Sequence, residues 1–322
     1  MGLDINSVLK FSVIDWIKDR SALKYFFVIF IFYLLVNISV GFFMYSTFMP
    51  FIGNAQPDAS QSIFMIANMI VFIFVLMFVA ILIASIFNYF IISKALKSKK
   101  LGAVPFSVSR WVYFVLLSIA ESIAAVFCLY KLRLLLIPIA GVILSIIALV
   151  LIIVFSYSNV ILSLIGVLIF LVALILFLVY FVIAIYNAYR LSLASVIYIE
   201  KERGVWDSLR MSWEITRGKV LDIFVIMLII GIAGSIIGWF FSVPSMIYQA
   251  SFTAVASDPA TVFKLMVDPI ALIFSLPSIL VQAFFVIAQL YALIAIYSEI
   301  RANQKSSSSK PIKKAISKPK RK

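Results

Sequence analysis

The side chains able to do acid–base, nucleophilic or metal chemistry are few in this sequence. There is no histidine, and Cys128 is the one cysteine among 322 residues. That removes the commonest acid–base group and histidine metal ligation, and it leaves no disulfide within the chain. Cys128 lies in an apolar run and reads as inert packing. The sequence has no phosphate-binding glycine loop, no paired carboxylates in an apolar run and no nucleophile beside a base. The expectation is a non-enzyme with no catalytic residues, no cofactor and no metal site. Glu121 is the one acidic residue deep in an apolar run, where an ionisable group is costly and often functional. Ser118, Ser122 and Ala125 share its helical face, so it is expected to look at protein or headgroups. It reads either as a proton-coupled or substrate-binding carboxylate or, preferred, as a water-facing group on an in-plane helix, paired with Arg110 or a neighbouring loop. Ser275, Ser278, Gln282 and Gln289 form a stripe on the last apolar run, with Asn37, Asn68 and Asn88 as polar points in the first two. Such residues can line a path, but more often hold helices together.

Charges crowd together once between long apolar runs, from Arg190 to Lys219. A helix beginning at Gly204 would put Val205, Leu209, Ser212, Trp213 and Thr216 on one side, with Ile215 beside them. Asp207, Arg210, Glu214 and Arg217 would fill a narrow opposite arc, an amphipathic pattern. Their signs alternate at three- and four-residue spacing, which supports a helix by roughly 0.2–0.5 kcal/mol per pair. Trp206 and Trp213 fall at the edges of the two faces, where indoles sit at a membrane interface. Gly218, with Lys219 beside it, is the expected stop. The helix is expected to lie along the membrane surface and feed the next span, as a connector or as a docking surface for a protein partner or headgroups. Glu200 closes an apolar segment and is expected to pair with Arg210 or Arg217.

Glu200, Gly204-Val205, Ser208-Leu209-Arg210, Ser212-Trp213-Glu214 and Thr216-Arg217-Gly218 together follow one pattern, preceded by Arg190-Leu-Ser-Leu-Ala194. It resembles the signature of the prokaryotic glycerophosphoryl diester phosphodiesterase membrane-domain family, a group of multi-pass proteins. The motif covers about thirty residues. The resemblance implies a membrane module. It carries over no catalytic residue, because the soluble diesterase domain that gives the family its name is not in this sequence.

The elements that position these residues are set by composition. The chain is 65% hydrophobic, with a mean hydropathy of +1.18 and a net charge of +14. This implies an all-α, polytopic transmembrane helix bundle. Residues 1–24 are expected to be an interfacial segment with a short helix starting near Asn6 or Ser7, touching the membrane through Phe11 and Trp16. Residues 25–300 form the transmembrane domain. Residues 301–322, rich in Ser, Lys and Pro, are expected to be a disordered basic tail. The apolar runs are Tyr25–Thr47, Ser62–Ser93, Trp111–Tyr130, Leu134–Phe155, Val160–Tyr186, Leu221–Phe241 and Pro269–Tyr297, the last with a kink expected at Pro277. Gly231, Gly234 and Gly238 in the sixth suggest close helix packing.

Basic residues choose the orientation. Residues 94–110 carry five Lys or Arg and residues 190–219 carry six, so both segments favour the cytoplasm. An even number of crossings must join them, yet three apolar runs lie between. Trp111–Tyr130 is basic at both ends and holds Glu121, so it is expected to lie in the membrane plane. About six spans result, in the cell membrane, with both termini cytoplasmic. The function expected is a scaffold or a lipid- or partner-binding module, with a small transporter or permease subunit as the alternative. Anionic lipid is the expected partner of the basic tail, ranked ahead of nucleic acid.

Overall fold

The computed structural model describes residues 3–48, 59–127, 134–155, 160–201, 203–255, 264–265 and 267–308. Cys128, Lys131, Arg133, Ser156–Asn159 and residues 309–322 of the basic tail lie outside them. The described residues form ten α-helices: α1 (Ile5–Val13), α2 (Arg20–Phe48), α3 (Ala59–Ser98), α4 (Val108–Val126), α5 (Leu136–Phe155), α6 (Val160–Leu191), α7 (Ala194–Lys201), α8 (Val205–Ile215), α9 (Val220–Val255) and α10 (Pro269–Ser308). A 3-10 turn, Asp15–Lys18, joins α1 to α2. Seven helices are long and apolar enough to cross a membrane: α2 to α6, α9 and α10. The protein is thus a polytopic helical bundle.

At 1.5 Å per residue, the forty-residue α3 and α10 are each about 60 Å long, twice the hydrocarbon core of a bilayer. The surplus builds a packed base at one end of the bundle. On α3, exposed apolar residues run from Ile63 to Ile81, after which Tyr89, Ile91, Ile92, Ala95 and Leu96 are buried. On α10 burial is dense from Ile279 to Ile300. These segments share one core with α1, the start of α9, and α7. α7 is the centre of that core, with Ala194, Val196, Ile197, Tyr198 and Ile199 all buried. α5 stands apart and packs on α6 as a hairpin, with Phe177 against Gly141 and the Ala148–Ile152 turn against Gly166.

In the amino-terminal segment, the membrane contact expected of Phe11 and Trp16 is not made, because both side chains are buried. α1 is capped by Asp4, which accepts from the Ser7 amide at 3.3 Å. Trp16 is 1% exposed and packs against Phe26, Phe284 and Tyr291, so it is a core residue rather than a membrane anchor. The Leu3 amide donates to Asp222 and the Asp4 amide to Glu299 (2.5 Å), which seats the start of the chain beside the end of α10. The tail expectation also changes. α10 continues unbroken to Ser308, so residues 301–308 are helical. Pro277 lies inside the same helix.

Candidate functional site

The motif residues assemble where α6 hands over to α7 and α8. Arg190, in the last turn of α6, is buried; its guanidinium lies 3.7 Å over the Trp213 ring and donates to the Trp213 carbonyl. The Arg190 carbonyl accepts from Ser212 Oγ (2.9 Å) and Thr216 Oγ1 (3.0 Å). A helix-end carbonyl that has lost its own partner is thereby satisfied by two hydroxyls of another helix. This gives Arg190, Ser212, Trp213 and Thr216 one shared task, which is to clamp α8 onto the end of α6. Ser208 and Leu209 complete the buried side of α8. Gly218 has φ 76°, the left-handed conformation that turns the chain into α9.

The opposite side of α8 faces out. Arg210 and Glu214 pair at 3.1 Å on the surface, and Asp207 and Arg217 are exposed. Gly204 caps the helix without a side-chain hydrogen bond. Glu200 pairs elsewhere than expected. Its side chain, 3% exposed, bonds the Arg301 guanidinium and accepts from the Tyr297 hydroxyl. The partner is an arginine, but from the far end of the chain rather than from α8. Tyr297 and Arg301 lie one turn apart on α10, and that spacing at the end of an apolar run was the signal available to find them.

α4 bridges two neighbours. Trp111 Nε1 donates to Ser85 Oγ of α3 at 2.8 Å, and the Val126 carbonyl accepts from Tyr180 of α6. Ser85 lies between the last exposed apolar residue of α3, Ile81, and the buried Tyr89, whereas on α6 exposed Phe181, Val182 and Tyr186 follow Tyr180. Glu121 is half-buried and accepts from Ser195 of α7 at 3.3 Å. Its partner is thus on a neighbouring helix, and is neither a loop nor Arg110, whose Nη1 donates to the Pro105 carbonyl.

Two cavities adjoin these elements. One, of ≈980 Å³, opens between α4 and the lead-in to α8, with Arg110, Arg203, Tyr113 and Trp206 among its walls. The sequence reading passed over Arg203 and Tyr113 because neither fits the motif. The other, of ≈590 Å³, lies between α9 and α10 and is lined by Tyr33, Ser278, Gln282 and Gln289. Ser278, Gln282 and Gln289 of the expected polar stripe therefore face a cleft, and Ser275 is not among its lining residues. Of the three glycines, Gly234 is the packing site: a Cβ there would meet Phe285 at 2.7 Å. Gly231 and Gly238 line the cleft. Among the described residues, no three carboxylates or thiols gather as metal ligands. No family model, curated protein or solved structure matches the chain.

Proposed function

We propose that this protein is a non-enzymatic membrane module that presents a positively charged base at the cytoplasmic face of the cell membrane, where it binds anionic lipid and a protein partner. The observation that carries this reading is the sorting of charge. Lys10, Lys94, Lys97, Lys99, Arg203 and Arg301 come from four separated segments, and the fold gathers them at one end. Among the described residues, Lys264 stands at the other end. In this reading both termini are cytoplasmic. Six helices cross, and α4 lies in the membrane plane at the upper edge of the base. α8 is the amphipathic docking helix, offering Asp207, Arg210, Glu214 and Arg217 to a partner. The basic tail beyond Ser308 adds lipid affinity, since each cation near an anionic leaflet gains roughly 1 kcal/mol. The resemblance of residues 190–218 to a family of membrane modules agrees with this reading.

Thiol labelling tests it. In a Cys128→Ser background, Asp207→Cys should react with an impermeant reagent only after permeabilisation, and Ser251→Cys from outside intact cells. External labelling of Asp207→Cys refutes the orientation.

A second reading, a small transporter or permease subunit, is favoured by the polar cleft of Ser278, Gln282 and Gln289. It requires that Gln282→Cys react from the aqueous phase. Full protection of that thiol in a folded protein sinks it.

A further inference from the structure

We infer that the groove between α4 and the start of α8 is a binding site for one acidic phospholipid, its anionic headgroup held by Arg203 and Arg110 and its acyl chains laid along α4. The inference deepens the lipid-binding reading above and rests on it for the orientation of the base.

Three observations converge on this occupant. The first is the shape. The lining follows α4 from Ser107 to Ile123, about 24 Å of helix, in a cavity of ≈980 Å³. That length leaves room for a headgroup at the Ser107 end and for acyl chains laid against α4.

The second is the division of its walls. Tyr113, Leu116, Ile119, Ala120 and Ile123 make its wall along α4, spaced three and four residues apart, and Leu116, Ile119 and Ile123 are exposed apolar side chains. In a water-soluble base this wall would be a liability; along the edge of a bilayer it is a place for acyl chains. At the other end Ser107, Ser109, Arg110, Arg203 and Gly204 meet. That end combines two guanidiniums with the first turn of α8, whose amides have no side-chain cap. Asp207 in that turn does not line the groove.

The third is depth. Trp111, next to Arg110, bonds α3 at Ser85, between the last exposed apolar residue of α3, Ile81, and the buried Tyr89. The groove therefore opens where headgroup and chain regions meet. Trp206, 65% exposed, forms its rim. A neutral lipid would satisfy the apolar wall and leave the positive charge at its end without a counter-charge from the lipid. A free anion would leave the apolar wall in water.

The test uses the full-length protein in nanodiscs containing brominated-chain phosphatidylglycerol or brominated-chain phosphatidylcholine. Tryptophan quenching is compared between wild type and Trp206→Phe, so that the difference reports Trp206. We expect stronger quenching of Trp206 by the acidic lipid at equal mole fraction. Arg203→Gln should reduce that preference about fivefold, the factor one cation contributes near an anionic surface. Arg210→Gln removes the same charge from the exposed side of α8 and should leave the preference intact. Equal quenching by both lipids, or equal losses in the two arginine variants, overturns the site. Absence of quenching by either lipid, in a protein whose Asp207→Cys labels from the cytoplasm, overturns the site and leaves the proposed function standing. External labelling of Asp207→Cys instead removes that function and the inference with it. A Trp206→Cys disulfide between two copies would assign the groove to a second copy and likewise overturn it.

Discussion

The α5–α6 hairpin and the base are made from similar side chains and are stabilised in opposite ways. In the hairpin, most Leu, Ile, Val and Phe side chains from Leu136 to Val182 are exposed, and few polar groups interrupt them. In the base the same residue types are buried, and polar side chains cross between helices: Glu200 to Arg301, Arg190 to Trp213, Trp111 to Ser85. Where lipid is the solvent, an apolar side chain gains little by turning inward, and close packing at small residues holds helices together. Where water reaches the surface, burial drives assembly, and a buried charge must find its counter-charge. Hydropathy alone cannot separate the two regions; the placing of polar partners does.

The largest expected effect is at Glu200. Glu200→Ala leaves the Arg301 cation in the base without its carboxylate and should cost about 3–5 kcal/mol. Thermal unfolding in mild detergent should show a large drop, whereas Leu149→Ala on the exposed hairpin surface should barely register. Equal drops would erase the distinction between the two regions. Next is Gly166, where any Cβ would lie 3.0 Å from Leu151 Cβ and 3.1 Å from the Ala148 carbonyl. Gly166→Val should cost about 1–3 kcal/mol by overpacking. It should also splay the hairpin, seen as lost crosslinking between cysteines at Gly141 and Phe177, while the Glu200–Arg301 contact survives. Arg210→Glu should cost little, since exposed pairs contribute about 0–1 kcal/mol. A drop as large as that of Glu200→Ala would mean that α8 is not outward-facing.

The smallest effect is a pH dependence. Lys99 lies 3.8 Å over the Phe11 ring. Burial pulls its pKa below the ordinary 10.5, with Asp15 and Glu299 acting in the opposite direction. The native state therefore gives up this proton before the unfolded state does, and stability should rise with pH between the lowered value and 10.5. Lys99→Met should remove that rise in detergent melts taken across the window. An unchanged slope would show that Lys99 is not held by the base.

Much of the bundle was legible in the sequence. The apolar runs locate the long helices, and the spacing of Leu209, Ser212 and Thr216 against Asp207, Arg210 and Glu214 gives α8 its buried and exposed sides. Glu121 and the Gln282–Gln289 stripe were legible as polar positions, and the fold supplies their surroundings, Ser195 for the first and a cleft for the second. Other features were not legible. Trp16 looks interfacial until α10 brings Phe284 and Tyr291 against it. Arg301 looks like the first residue of a solvated tail, because its spacing from Tyr297 gives them a common face without saying that Glu200 will meet it. The lipid groove needs α4 beside Arg203, a juxtaposition of residues far apart in the chain, and periodicity within one helix carries no information about which helix will face it.

The pairing of Glu200 with Arg301 also sets an order in time. The carboxylate is synthesised and inserted well before the arginine that neutralises it. Until α10 has been threaded into place, Glu200 cannot enter the core as an ion without the cost of an unpaired buried charge. The base is therefore a late event in biogenesis, completed from the carboxyl-terminal side. A chain arrested before Arg301 should hold its hairpin, yet leave α7 exposed to proteases and to the quality-control machinery that recognises unassembled membrane helices.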